Sequence, residues 1–322
     1  MARSEFDLIR QYLTGLGCRR EDVQLGVGDD AALLQPPAGH LLAVSTDTLV
    51  AGVHFPEDAP VAAIGHKALA VNLSDLAAMA AEPAWTTLCL TMPSADGDWL
   101  QAFATAFDAL AREHGVALVG GDLCRGPLVI TVQITGFVPA GRALRRDGAT
   151  PGDHVVVSGC LGDAALGLRC WQAGERGSDT SSLTRRLHRP SPRIQLGLAL
   201  RGRASAAIDL SDGLASDLGH VLTASGCGAE IQVQDLPCSE TAVRYAGAVA
   251  ARQAALAGGD DYELCFTVPE RFLPDLAGIA GAVGTPLTVI GRIVAEPGLR
   301  LRREDGSLVP AAPGGYQHFG EE

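Results

Sequence analysis

The chain has 322 residues, 47% of them hydrophobic, and carries a formal net charge of -12 at pH 7. That length and composition suit one large domain or two smaller ones and exclude a disordered chain; the acidic balance excludes a nucleic-acid partner, whose phosphates require a basic surface. No uncharged apolar run approaches the ~18 residues needed to cross a bilayer, and MARSEFDLIRQYL carries charge through its apolar stretch, so neither a membrane span nor a signal peptide is expected and the chain reads as cytoplasmic.

In chain order, the first informative stretch is VQLGVGDDAALL, Val23 to Leu34. Gly26-x-Gly28-x-x-Ala31 fits a dinucleotide fingerprint, with Asp47 about twenty residues on where a ribose-binding acid belongs. Two physical points oppose that reading. Asp29 and Asp30 would repel a pyrophosphate at the turn, and the helix that should follow meets Pro36 and Pro37 almost at once. What remains is a turn where carboxylates are wanted, most simply by a cation.

LLAVST then predicts a strand running into an acidic tip at Asp47, and VAAIGHKALAVNLSDLAAMAA a long, mostly buried helix. A strand TTLCLTM, a helix DWLQAFATAFDALAREHG, a short strand VALV and a turn at Gly120-Gly121-Asp122 follow, then a β-branched strand PLVITVQITGFV. The Gly-rich, charged segment 141–153 reads as a domain boundary, which separates residues 1–149 from 150–322. Beyond it come a strand HVVVSG, a helix CLGDAALGLRCWQAG, then strand, acidic turn and helix across RASAAIDLSDGLASDLGHVLTASG, and strands at AEIQV, YELCFTV and LTVIGRI. Both halves mix strands and helices, which gives α/β or α+β architecture in two domains. The eight cysteines form no C-x-x-C pair and suit free thiols in a reducing compartment better than disulfides or a zinc site.

Aspartates recur where the apolar periodicity stops: Asp29 and Asp30, Asp47, Asp75, Asp122, Asp209 and Asp212, Asp260 and Asp261. Singly, each suits a helix N-cap or a turn, and Asp212 before GLASDLGHVL is a good N-cap candidate. Jointly they suit magnesium, which takes one or two carboxylates per ion with phosphate and water completing the octahedron. Ser45, Thr46 and Ser211 add neutral oxygens beside them. Walker, protein-kinase and hydrolase-elbow motifs are absent from the sequence. Gly120 and Gly121 offer backbone N–H groups, and Arg145 and Arg146 suit either a phosphate clamp or solvated surface charge.

VGDDAAL, STDTLVAGVHF, NLSDLAAMAAEP, the GGD at 120–122, IDLSDGLASDLGH, GGDDYEL and the terminal YQHF together resemble the thiamine-monophosphate kinase family. More widely the chain is similar to the aminoimidazole ribonucleotide synthetase and selenophosphate synthetase superfamily. The resemblance implies a mixed-sheet N-terminal domain that binds ATP and pairs with a second subunit in a homodimer, and a C-terminal α+β domain. It implies Mg²⁺-dependent transfer of the ATP γ-phosphoryl group to thiamine monophosphate, with several ions bound. By motif, Asp30, Ser45, Thr46, Asp47, Asp75, Asp122, Asp209 and Asp212 would be metal ligands. Gly121, Asp122, Arg146 and Ser211 would contact ATP or its metal-bound phosphates, and His54, Asp260 and Phe319 the substrate. Where the family usually has glutamate, this chain has Asp260, one methylene shorter. The rival readings are a sister synthetase that activates an amide or selenide, a non-catalytic metal-binding protein, and a dinucleotide oxidoreductase.

Overall fold

The computed structural model describes residues 4–311, so Phe319 lies outside the described residues. The chain divides into two compact units, Met1–Leu76 with Ala81–Gly141, and Ala77–Ala80 with Arg142–Glu322. Among the described residues no helix is long and apolar enough to cross a membrane.

The first unit begins with a short helix α1 (Glu5–Leu8), whose Ser4 and Asp7 form a reciprocal capping box. A two-residue-deep hairpin follows, β1 (Val23–Leu25) against β2 (Leu33–Leu34). Then come β3 (His40–Val50), α2 (Val61–Ala78), β4 (Glu82–Met92), α3 (Gly97–Glu113), β5 (Ala117–Arg125) and β6 (Val129–Pro139). Strands β3 to β6 form one mixed sheet in the order β3-β6-β4-β5, with β4 and β5 parallel and the other pairs antiparallel.

Strand alternation gives this sheet two unlike faces. Leu88, Leu90, Ile130, Val132 and Ile134 are buried, and α2 lies on their side, tied to β3 by side-chain hydrogen bonds. On the opposite face Trp85 and Phe137 meet edge to face, centroids 4.9 Å apart, and the β1–β2 hairpin covers them with Val23, Ala32 and Leu34. The rest of that face is open: Leu42 is 49% and Val44 61% exposed, and Cys89 and Cys124 are exposed as well.

The second unit contains β7 (His154–Ser158), α4 (Asp163–Gln172), α5 (Ser178–His188), α6 (Ile194–Ala199), β8 (Ala206–Asp209), α7 (Leu214–Ser225) and β9 (Gly228–Gln232). It continues with α8 (Glu240–Ala246), α9 (Ala248–Ala257), β10 (Leu264–Val268), α10 (Asp275–Val283), β11 (Leu287–Val294), β12 (Gly298–Arg302) and β13 (Leu308–Pro310). Its seven-stranded sheet runs β13-β12-β9-β11-β7-β10-β8, antiparallel throughout except between β12 and β9. Every residue of β7, β8 and β10 is buried, which is why these strands read as short continuous apolar runs.

Three local expectations are corrected. Gly120-Gly121-Asp122 is not a turn: β5 runs on to Arg125, Val119 is the extra residue of a register shift opposite Thr86 and Thr87, and both glycines pair with β4. Asp47 is not a strand tip, because β3 continues to Val50. Asp212 does not cap α7; Gly213 holds that position, and the carboxylate of Asp217 folds back to accept the N–H groups of Asp212 and Gly213, each at 3.1 Å. Helices α5, α6, α8, α9 and α10, strand β12 and the edge strand β13 were not read from the sequence.

Candidate functional site

Residues two apart on β3 and three apart on α2 build the first group of candidates. Ser45 and Asp47 leave the strand on the α2 side, and Asn72 and Asp75 lie on one helix face. Ser45 Oγ donates to Asp75 Oδ2 at 2.5 Å, while the Asp47 backbone N–H donates to Asn72 Oδ1 at 3.1 Å. Asn72, fully buried, fixes its amide by donating Nδ2 to the Ala68 carbonyl at 3.0 Å. Two carboxylates and a hydroxyl are therefore held on a rigid strand and helix, a set of hard oxygen donors that fits magnesium. His54 lies just past β3, where its Nδ1 accepts the Val50 N–H at 3.0 Å and its carbonyl accepts from buried Lys67 at 3.1 Å.

The same alternation separates other candidates from that group. Thr46 shares a cross-strand row with Gln133 and Thr87, and Asp122 a row with Cys89 and Thr131, all on the open face. Asp122 accepts the Cys124 thiol at 2.8 Å, and this carboxylate partner holds the thiol above its ordinary pKa. Gly121 has φ +144, and a Cβ there would fall 1.9 Å from the Leu88 carbonyl oxygen, so only glycine lets β5 pass β4 so closely. Asp29 and Asp30 are both exposed between β1 and β2, and Asp29 Oδ1 accepts the Asp30 N–H at 2.9 Å, leaving Asp30 to face outward from the braced loop. The segment after this loop is strand β2, so the dinucleotide reading lacks its helix. Among the described residues no three His, Cys, Asp or Glu side chains are grouped to hold an ion. Magnesium typically takes only one or two carboxylates per ion, with phosphate and water supplying its remaining ligands.

In the second unit Asp209 ends β8, buried, and Ser211 and Asp212 form the half-buried loop before α7. Burial raises Asp217 to about 7, helped by the neighbouring Asp212 charge. Asp260 has φ +69 and donates its backbone N–H to the Ser211 carbonyl at 2.8 Å, so the segment with the candidate substrate contact is stitched to the loop with the candidate phosphate contacts. Of the two boundary arginines, Arg145 is committed to Asp147 through a forked pair, whereas Arg146 is exposed and anchored through its carbonyl, which accepts from Ser225 at 2.9 Å.

Two family models match the chain: the N-terminal domain of AIR synthase related proteins over residues 28–138 and their C-terminal domain over 150–304. The thiamine-monophosphate kinase of Salmonella typhimurium is 51% identical over 323 aligned residues, covering 99% of each chain. The chain belongs to the thiamine-monophosphate kinase family. The crystal structure of the thiamine-monophosphate kinase from Stenotrophomonas maltophilia K279a superposes with a TM-score of 0.85 at 50% identity, covering 89% of this chain and 92% of that one. AaThiL complexed with AMPPCP and TMP superposes with a TM-score of 0.79 at 32% identity, covering 88% and 89%.

Against that membership, several residues of the family's motifs stand out that sequence reasoning passed over. Asn72 lies inside NLSDLA and Glu263 inside GGDDYEL, but neither has a spacing that separates ligand from scaffold. Arg186 and Arg193 lie in RRLHRPSPR, which reads as solvated charge until the fold turns both toward Glu263. Asp261, one of the recurring aspartates but given no individual role by the sequence, is 2% exposed with Oδ2 accepting the Gly162 N–H at 2.8 Å, and burial holds its carboxyl well above the usual range.

Proposed function

We propose that this protein transfers the γ-phosphoryl group of ATP to thiamine monophosphate, giving thiamine diphosphate and ADP, as a magnesium-dependent, cytoplasmic homodimer. The observation that carries the reading is the 51% identity to a thiamine-monophosphate kinase across 99% of both chains. The superposition on AaThiL complexed with AMPPCP and TMP supports ATP and thiamine monophosphate as the two substrates.

The acceptor is already a phosphate oxygen, largely ionised near neutral pH, so the reaction needs positioning and charge neutralisation more than a strong general base. Asp30, Ser45, Thr46, Asp47, Asp75 and Asp122 of the first unit and Asp209 and Asp212 of the second would hold magnesium. When bound, the ions would offset repulsion between two polyanions and fix the phosphates in line. Gly121, Asp122, Arg146 and Ser211 would hold the nucleotide; His54, Asp260 and Phe319 would hold the acceptor, with Asp260 offering negative charge to the cationic thiamine ring system. We place the family's domain boundary between residues 149 and 150, past the division of the compact units after Gly141; the C-terminal family model, which begins at residue 150, supports this.

The open face of the first unit's sheet supports the dimer. A four-stranded sheet exposing Leu42 and Val44 gains by burying them against a second copy. Sedimentation over a concentration series tests this, and a monomer at all micromolar concentrations would overturn it.

ADP release with Mg·ATP in the presence and absence of thiamine monophosphate, with chromatography for thiamine diphosphate, tests the function. Equimolar ADP and thiamine diphosphate are expected. ATP binding without that product would redirect the reading to a sister synthetase.

A further inference from the structure

The segment Gly258 to Glu263, between α9 and β10, is held in a conformation its own residues resist. Asp260 and Tyr262 both have positive φ, +69 and +50. Aspartate tolerates that region, but a bulky tyrosine does so only when its surroundings impose it.

The imposing groups converge on Glu263, which is fully buried. Its carboxylate accepts from Ser158 Oγ at 2.5 Å, Arg186 Nη2 at 2.8 Å, Arg193 Nε at 2.7 Å and Arg193 Nη2 at 2.5 Å. Arg186 Nη2 also donates to the Asp261 carbonyl at 3.0 Å, so one guanidinium grips both the carboxylate and the peptide between the two positive-φ residues. Ser158 Oγ in turn accepts the Leu264 N–H at 2.9 Å. On the other side, the N–H groups of Asp260 and Tyr262 donate to the carbonyls of Ser211 and Leu210, each at 2.8 Å, and Leu210 N–H donates to the Glu263 carbonyl at 2.9 Å. Gly159 completes the fit: a Cβ there would lie 2.3 Å from Glu263 Oε1.

The β8–α7 loop has a separate anchor in Asp217, which accepts the N–H groups of Asp212 and Gly213. The acceptor-side segment depends on Glu263, whereas the nucleotide-side loop retains its own support. We infer that Glu263, with Arg186 and Arg193, is a positioning network that fixes Asp260 and so sets affinity for the phosphoryl acceptor. This rests on the kinase reading for its kinetic consequence, but the conformational claim stands on the geometry alone.

Glu263→Gln tests it, because the amide would turn two N–H donors into a cavity where hydrogen-bond donors already converge. Arg193→Lys, which loses the fork but keeps the charge, carries the same test should the first variant not fold. Ile293→Ala, a truncation in the buried part of β11, serves as a control for general destabilisation. Two measurements are made on the purified full chain: amide hydrogen exchange at Asp260 and Tyr262, and KM for each substrate.

Faster exchange at those two amides than in Ile293→Ala is expected, together with a rise of about tenfold in KM for thiamine monophosphate and a change below about twofold in KM for Mg·ATP. Unchanged exchange in folded Glu263→Gln or Arg193→Lys would overturn the network's role. Equal rises in both KM values would overturn its assignment to the acceptor. Absence of thiamine diphosphate formation by the unaltered protein would instead sink the kinase reading, while the exchange result would still decide the conformational claim.

Discussion

Gly121→Ala offers a sharp test of how the open face is built. The new Cβ would stand 1.9 Å from the Leu88 carbonyl oxygen and 2.6 Å from its carbon, both backbone atoms of the neighbouring strand. A comfortable C···O approach is about 3.3 Å, so β4 and β5 would have to separate by about 1.4 Å from a normal spacing of about 4.8 Å. That breaks roughly two ladder hydrogen bonds at about 1 kcal/mol each. Holding alanine at φ +144 adds about 1–3 kcal/mol. The sum, about 3–5 kcal/mol, lowers Tm by roughly 10–20 °C for a unit of this size.

Gly120→Ala is the matched control: its Cβ would meet only the Thr87 methyl at 3.9 Å, with ordinary backbone angles, and a fall below about 2 °C is expected. Thermal unfolding of both variants by circular dichroism and calorimetry reads the difference. If the two melt together, the close passage of β5 over Leu88 is wrong, and with it the placement of Asp122 on the open face.

Asp30→Asn is expected to lower turnover strongly at limiting Mg²⁺ and to recover partly as Mg²⁺ is raised; near-normal turnover at limiting Mg²⁺ would remove Asp30 from the ligand set. Phe103→Ala deletes a fully buried ring that stacks on Trp99 at 5.2 Å and Phe107 at 6.0 Å, and should cost about 3–5 kcal/mol in chemical denaturation. His114, at the end of α3, is held below its ordinary 6.5 by burial. The folded state therefore binds fewer protons there than the unfolded state, so this contribution is present above pH 6.5 and is lost as pH falls through the folded value. His114→Gln should flatten the stability profile in that acidic window, as denaturant midpoints across pH would show, and an unchanged slope would contradict the burial.

How far the sequence carries the argument differs from residue to residue. The two units, their mixture of strands and helices, the helix from Val61 and the strands β4, β6, β7, β9, β10 and β11 were legible, because apolar runs and helical periodicity record what each element must bury. The family was legible too, since motif order and residue type survive without coordinates. Helix α5 was not: SDTSSLTRRLH carries only two apolar residues, Leu183 and Leu187, four apart, and the helix is fixed by packing them and by the commitment of Arg186 to Glu263.

Sequence alone determined the family and the class of reaction, because these depend on which groups are present and in what order. Only the tertiary structure decided that Ser45 and Asp47 stand on the helix-covered face while Thr46 and Asp122 stand on the open one, and that Gly120-Gly121 continues a strand. It also turned two arginines onto one buried glutamate. Face and register are set by partner strands and covering helices distant in the chain, so a one-residue alternation that local sequence leaves open is settled by what each face must bury.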